Sequence, residues 1–258
     1  MTTILKSSSF ESSRVQFAPL KKNKRGGGVV YMKYDNPSGK KHTVYLQTPK
    51  MYCPFGASAF KKDELADGEV PKYSLQMSFR GHEENQSLGE LKTKLESFDE
   101  HIVSEVLKNK ELQSALGLAG KKKLTREMVE MLHTSMVKEP VDEKYPSTLN
   151  VKLPVKWGTE EFQTEVFDKT KSKVELSYET IEEVIPARCE VRALLQISAA
   201  WVVGGKFGIT VRASQLVVYP TEALTGYSFL DSDDDSAEDE DSESESEVDT
   251  EQESEVEE

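Results

Sequence analysis

The chain has 258 residues, of which 36% are hydrophobic, so it can build a packed core. No segment approaches the roughly 18 consecutive apolar residues of a membrane-spanning helix, and the N-terminus lacks the apolar stretch of a secretory leader. These features exclude membrane and secreted classes, and we expect a protein of the nucleus or cytoplasm. Cys53 and Cys189 lie far apart, without the spacing of a zinc site or a disulfide framework, which predicts two buried small side chains and no cofactor.

The net charge of −13 is unevenly divided along the chain. Residues 231–258 contain 17 Asp or Glu and no Lys or Arg, so the remaining 230 residues carry +4 (33 minus 29). Within that body, residues 1–62 hold 12 Lys or Arg against Glu11 and Asp35, a local charge of +10. A basic segment and an acidic tail on one chain indicate a protein that binds polyanions, and whose own tail competes with them for the basic site. The alternative is a solvated surface with a solubility tail.

The C-terminal segment, residues 227–258, is predicted to be a disordered acidic tail. From residue 231 onward it holds two Val, one Ala and no aromatic residue, too little apolar surface to offset the entropy of ordering. Six serines have Asp or Glu three residues later, the pattern that acidophilic kinases prefer, and phosphorylation would add negative charge. These candidate phosphorylation sites are Ser232, Ser236, Ser242, Ser244, Ser246 and Ser254.

Alternating apolar residues predict strands in the first half of the body. In residues 29–35, Val30, Met32 and Tyr34 share one face. Residues 43–47 place Val44 and Leu46 inward and Tyr45 outward. Residues 73–80 place four apolar side chains inward, with Gln76, Ser78 and Arg80 outward.

Two helices are predicted to interrupt the strands, as an insertion at about residues 87–138. Residues 88–107 have apolar side chains at helical spacing, with Ser87 as N-cap and Glu90 as its capping-box partner. A shorter helix should begin after Thr125 and end before Pro140.

Strands return after residue 148 and end in a long hairpin. Gly204-Gly205 lies between two apolar runs and predicts a type I′ turn. Its arms should place Val191 and Ile197 inward, while Trp201 is expected in the core. About eight strands with one helical insertion predict a mainly β barrel over residues 29–226, preceded by a basic segment, residues 1–28.

The sequence gives little support for catalysis, and we expect no enzymatic activity. Its four histidines, His42, His82, His101 and His133, show no HxxxH spacing. The glycines at 26–28 precede a strand and lack the Lys-Ser/Thr of a phosphate-binding loop.

Nucleic-acid binding has a stronger physical case. Single strands are bound by cationic grooves that follow the phosphates and by aromatic rings on which bases stack. The segment KKNKRGGGVVYMKY supplies both within fourteen residues. The candidate nucleic-acid-binding residues are Lys21, Lys22, Lys24, Arg25, Tyr31, Lys33, Tyr45, Arg80, Trp157, Arg192, Lys206 and Arg212.

The sequence also resembles the replicative single-stranded-DNA-binding proteins of short-tailed phages, and most closely their relatives in large nucleocytoplasmic DNA viruses. The resemblance lies in VQFAPLKKNKRGGGVVYMKYD, YSLQMSFRG, AAWVVGGKFGITVRASQLVVY and the acidic tail. It implies an OB-type barrel that coats single-stranded DNA during replication, recombination and repair. It further implies a tail that contacts DNA polymerase and helicase-primase, and a location at viral replication sites or in the virion. A homodimer is compatible with the resemblance. The phage proteins end in an aromatic residue, whereas this chain ends in Val256-Glu257-Glu258.

Two binding functions compete with this interpretation. A histone or basic-protein chaperone would use the acidic tail as its active surface. An RNA-binding OB protein would share the stacking and phosphate contacts, which do not distinguish the two sugars unless a 2′-hydroxyl is recognised.

Overall fold

Strands dominate the computed structural model, which describes residues 3–23, 27–35, 41–60, 71–120, 124–156 and 158–221. The strands are β1 (Thr3–Lys6), β2 (Val15–Phe17), β3 (Lys21–Lys22), β4 (Gly28–Asp35), β5 (Lys41–His42), β6 (Val44–Gln47), β7 (Met51–Cys53), β8 (Ala57–Phe60), β9 (Lys72–Ser78), β10 (His133–Thr134), β11 (Val137–Lys138), β12 (Thr148–Leu153), β13 (Glu165–Phe167), β14 (Lys173–Val174), β15 (Cys189–Val203) and β16 (Lys206–Tyr219). The helices are α1 (Gln86–Lys108), α2 (Lys110–Ala115), α3 (Arg126–Glu130) and α4 (Ile181–Val184). The predicted mainly β class is confirmed, while the tail at 227–258 lies outside the described residues.

Five strands pair in a closed ring. β15 pairs with β7, β7 with β9, β9 with β12, β12 with β16, and β16 again with β15. Two of these junctions are narrow, because β7 and β9 meet only at Tyr52 and Ser78, and β12 and β16 only at Lys152 and Arg212. Strands β4 and β6 extend the sheet along the edge of β15 that β7 also uses.

The β15–β16 hairpin is the longest pairing in the fold. Its turn has positive φ at both Gly204 (58°) and Gly205 (74°), the backbone that a type I′ turn requires. The prediction for this turn is therefore confirmed. Val191 and Ile197 are buried as expected, whereas Arg192 and Arg212 are exposed on the opposite face.

Helix α1 covers part of the inner face of the sheet. Its buried stripe includes Leu91, Leu95 and Phe98, and the Phe98 ring meets Phe10 edge to face with centroids 5.4 Å apart. Burying a side chain of this size contributes about 1.5–3 kcal/mol. The long helix is confirmed, although its N-cap is Asn85, whose side chain accepts a hydrogen bond from the Leu88 amide, and not Ser87.

The second predicted helix is shorter than expected. Thr125 caps α3, and its hydroxyl accepts from the Met128 amide, but the helix ends at Glu130. Beyond that point β10 pairs with β16 and β11 pairs with β12. Pairing with distant strands overrides the helical periodicity here.

The predicted orientation of two strand side chains, Ser78 and Trp201, is wrong. Ser78 is buried and not outward, because its strand is flanked by β7 and β12 at that position, and its hydroxyl accepts from the Arg80 amide. Trp201 is half-buried on the outer face and not in the core. Of the helices described, none is long and apolar enough to cross a bilayer.

Candidate nucleic-acid interface

A row of polar side chains crosses the outside of the ring over four neighbouring strands. Strand register aligns Tyr45 with Gln196, Gln196 with Arg212, and Arg212 with Lys152. We call these four residues the outer row. The Gln196 side-chain amide donates to the Tyr45 hydroxyl at 3.3 Å. At about 4.8 Å between strands, the outer row spans roughly 14 Å, enough for more than one nucleotide.

Alternation in each strand explains why these residues face outward. Val44 and Leu46 flank Tyr45 and are buried, as are the neighbours of the other three members of the row. Because successive strand residues point to opposite faces, burial of the neighbours forces each row residue to the surface. The buried neighbours of the other three are Leu195, Ile197, Val211, Ala213, Val151 and Leu153.

Lys152 lies in an unusually positive environment. Partial burial, followed by the charges of Arg212 and Lys72, lowers the pKa of its ammonium group below the ordinary value. Within the described parts of the chain, no carboxylate forms an ion pair with Lys72, Lys152 or Arg212. Three cations that have no ion-pair partner among the described residues form a surface suited to an anionic ligand.

A second group of basic and aromatic side chains lies on β3 and β4. Lys21 and Lys22 are exposed, and the Lys21 ammonium lies 5.2 Å from the centre of the Tyr31 ring. The Tyr31 side chain is outward and 48% exposed, and Lys33, two residues further along β4, is exposed on the same face.

Tyr31 and Tyr45 lie along one edge of β15. Tyr31 is opposite Ala199, and Tyr45 is opposite Gln196, so register separates the two tyrosines by about 7–10 Å along the strand. Bases stacked on both rings could therefore belong to one continuous strand of nucleic acid.

Trp201 adds a third ring to this face. It pairs with Gly208 across the hairpin, and a Cβ placed on Gly208 would lie 2.8 Å from Trp201 Cζ2. The absence of a side chain at Gly208 lets the indole lie close to the β16 backbone. Lys206, at the end of the same hairpin, is exposed.

Two predicted residues lie away from the outer row. Arg192 is exposed four residues from Gln196 along β15, which corresponds to about 13 Å. Arg80 lies 6.0 Å from the Tyr52 ring, beside the segment where Glu190 forms an ion pair with Lys50 at 2.5 Å. A carboxylate at this end of the sheet makes it less suited to phosphate. Lys24, Arg25, Trp157 and the six tail serines lie outside the described residues.

Lys72, Lys152 and Gln196 were not predicted from the sequence to be site residues. Lys152 alternates with buried Val151 and Leu153, so its outward direction was readable from the sequence. Its position beside Arg212 was not, because β12 and β16 are about sixty residues apart in the chain.

The histidine with a carboxylate partner belongs to a structural cluster. His133 Nε2 lies 3.2 Å from Asp99 Oδ1, while Asp99 Oδ2 accepts from the Ser135 hydroxyl at 2.6 Å and from the Met136 amide at 2.8 Å. Since Ser135 donates to Asp99 and not to the imidazole, the arrangement differs from a base-activated nucleophile. The described residues contain no group of three or more His, Cys, Asp or Glu side chains that could hold a metal ion.

Comparison with known proteins returns phage structures and one sequence family. The single-stranded DNA-binding protein from bacteriophage Enc34 in complex with ssDNA has a TM-score of 0.38 and 14% identity, covering 80% of this chain and 97% of that chain. A second structure of the single-stranded DNA-binding protein from bacteriophage Enc34 has a TM-score of 0.37 and 16% identity, covering 84% of this chain and 96% of that chain. Its C-terminal truncation has a TM-score of 0.36 and 15% identity, covering 81% and 98%.

No curated protein matches the chain. A sequence profile described as "Protein of unknown function (DUF2738)" matches residues 9–258, so the chain belongs to the DUF2738 family.

Proposed function

We propose that this protein binds single-stranded DNA across the outer row and the adjoining face of β3 and β4. The observation that carries the proposal is the position of Lys152 between two other cations, Arg212 and Lys72. Partial desolvation of the ammonium group, followed by repulsion from Arg212 and Lys72, makes this charge less favourable than in water. Phosphate bound over the three cations would offset that repulsion, because it supplies negative charge.

The aromatic side chains favour an unpaired strand over a duplex. Tyr31 and Tyr45 point outward on one side of β15, and Trp201 lies on the same face. Bases in a duplex are already stacked on one another, whereas unpaired bases can stack on protein rings. The closed ring has five strands, which is also the number of strands in an OB fold, the architecture that the sequence resemblance implies.

Within this proposal, the protein coats single-stranded DNA during viral replication, recombination and repair. The acidic tail competes with DNA for the cationic face, recruits replication proteins, and is strengthened as a competitor by phosphorylation of its serines. The charge division along the sequence and the resemblance to replicative proteins support this part of the proposal.

Salt titration tests the proposed function directly. Affinity for oligo-dT is expected to fall steeply with salt, with a log–log slope near −0.7 for each phosphate contact. A chain that ends at residue 230 should bind more tightly than the full chain, most clearly at low salt, where charge competition is strongest. Binding to oligo-U and duplex DNA is measured in parallel by fluorescence anisotropy. A preference for oligo-U would indicate an RNA-binding protein, and no binding to oligo-dT in dilute buffer would refute the proposal.

The contribution of stacking is tested with Tyr31→Ala. Loss of one stacked base should weaken oligo-dT binding by about 1–3 kcal/mol while leaving the salt slope unchanged, since no charge is removed. Tyr145→Ala is the matched control, because Tyr145 is 59% exposed and also has a lysine ammonium near its ring, Lys144 at 4.9 Å. Equal effects of the two substitutions on affinity would contradict a specific role for Tyr31.

A further inference from the structure

Cys53 and Cys189 face each other inside the ring, although they lie 136 positions apart in the sequence (189 minus 53). They are direct partners in the antiparallel pairing of β7 with β15, and both side chains are fully buried and unbridged. The sequence predicted two buried cysteines, and their burial is confirmed. Their proximity was not predictable from spacing.

The pairing geometry suits a covalent bond. The Arg188 amide donates to the Pro54 carbonyl at 3.2 Å, but Pro54 has no amide hydrogen to donate in return and Arg188 has a φ of 64°, so the regular ladder ends at the 53/189 pair. Directly opposite residues of an antiparallel ladder have Cα atoms about 4.5–5.5 Å apart in either kind of pair. That separation falls within the roughly 4.4–6.8 Å range of disulfides.

We propose that Cys53 and Cys189 are a redox site that forms a reversible intramolecular disulfide between β7 and β15. The inference stands on the register of these two strands and does not depend on DNA binding. The disulfide would link β7 covalently to β15, one of the two strands with which β7 pairs in the ring.

The two thiols differ in reactivity. A hydrogen bond with Cys189, and then burial, raises the pKa of the Cys53 thiol, while the hydrogen bond from Cys53 lowers the pKa of the Cys189 thiol. Cys189 is therefore the group that ionises first and attacks, since the thiolate is the nucleophile in disulfide exchange.

The oxidant is a small disulfide such as oxidised glutathione. When the single-pair junction between β7 and β9 opens and admits the oxidant to these buried sulfurs, Cys189 Sγ, as thiolate, attacks one sulfur of that disulfide, forms a mixed disulfide and releases one glutathione thiolate. Cys53 then loses its proton to solvent, and its Sγ attacks the Cys189 sulfur, forming the internal bond and releasing the second glutathione. Two protein thiols are oxidised, and one disulfide is reduced to two thiols.

Oxidation should stabilise the fold, because the cross-link closes a loop of more than a hundred residues in the unfolded chain. A rise in Tm of about 10 °C is expected for a chain of this size.

The test uses the full chain, incubated in glutathione buffers with increasing ratios of oxidised to reduced glutathione. Each incubation continues until the fractions of thiol and disulfide protein stop changing. The expected product is a monomer that has lost about 2 Da and both titratable thiols, with the raised Tm reversed by dithiothreitol. A non-reduced peptide joining residues 53 and 189 would identify the bond by mass spectrometry.

Cys53→Ala and Cys189→Ala are the controls, since either substitution keeps an apolar side chain but removes one sulfur. Each should yield at most a mixed disulfide with glutathione and no rise in Tm. Two thiols that stay titratable at every ratio, or a product made only of glutathione adducts or linked dimers, would overturn the proposal.

Discussion

Replacing Lys72, Lys152 and Arg212 together with glutamine is expected to lower the affinity for oligo-dT by about 100-fold at low salt. The three side chains form a cationic cluster on β9, β12 and β16, and no carboxylate among the described residues forms an ion pair with them. If each contacts one phosphate, the slope of log affinity against log salt should become shallower by about 2, at 0.7 per contact. Fluorescence anisotropy over a range of salt concentrations measures both quantities.

A control with the same change of net charge separates this effect from long-range attraction. Lys108, Arg126 and Lys144 each form an ion pair with a carboxylate, at distances of 3.1, 2.6 and 2.7 Å, and none belongs to the ring strands. Their joint replacement by glutamine should change affinity only slightly, since exposed pairs contribute little and remote charges are screened. If both triple variants bind equally, net charge and not the cluster governs binding.

The single substitution Lys152→Gln adds a measurement of stability to the measurement of binding. The pKa of Lys152 is lowered in the folded chain, so the folded state binds this proton more weakly than the unfolded state does. The destabilisation is present near neutral pH and disappears as the pH rises through the lowered pKa. Lys152→Gln should therefore raise Tm while it weakens DNA binding. A substitution that lowered both would point to a structural role for the lysine.

The local elements were predictable because their signals are local. Residues 29–35 alternate regularly, and β4 buries Val30 and Met32 while it exposes Tyr31 and Lys33, as the alternation predicted. The paired glycines at 204–205 predicted the hairpin for the same reason, since the turn needs two positive φ angles wherever it occurs.

The features that depend on distant pairing were not predictable from one sequence. The segment after Glu130 has apolar residues at helical spacing, yet Val137 pairs with Leu149 and Asp99 accepts from the Met136 amide. These contacts are available only in the folded chain, and they outweigh helix propensity, which amounts to a few tenths of a kcal/mol per residue.

The candidate site shows the same division. Tyr45 and Arg212 were identified because each is an outward residue of an obvious strand. Lys72 and Lys152 join them only through the order β9–β12–β16, a parallel and antiparallel arrangement that no local pattern encodes. Trp201 was assigned to the core by its apolar surroundings, but the β-bulges in β15 and the absence of a side chain at Gly208 leave room for it outside.

A measurable loss of stability is expected from Asp99→Ala. Asp99 is buried on α1 and accepts from the Ser135 hydroxyl and the Met136 amide, with His133 Nε2 at 3.2 Å. Alanine would leave the buried Met136 amide without its acceptor and would remove the bond from the exposed Ser135 hydroxyl, at a cost of about 1–3 kcal/mol. The shift of the urea midpoint measures this cost.

Helix propensity works in the opposite direction and so sharpens the test. Alanine favours a helix more than aspartate does, so a substitution that affected only α1 would be stabilising. Glu100→Ala is the control, because Glu100 is the next residue of the same helix and its side chain is exposed. Asp99→Asn should lie between the two, since an amide keeps one acceptor oxygen. If Asp99→Ala unfolds at the same urea concentration as Glu100→Ala, the carboxylate does not hold the segment after α3 against α1.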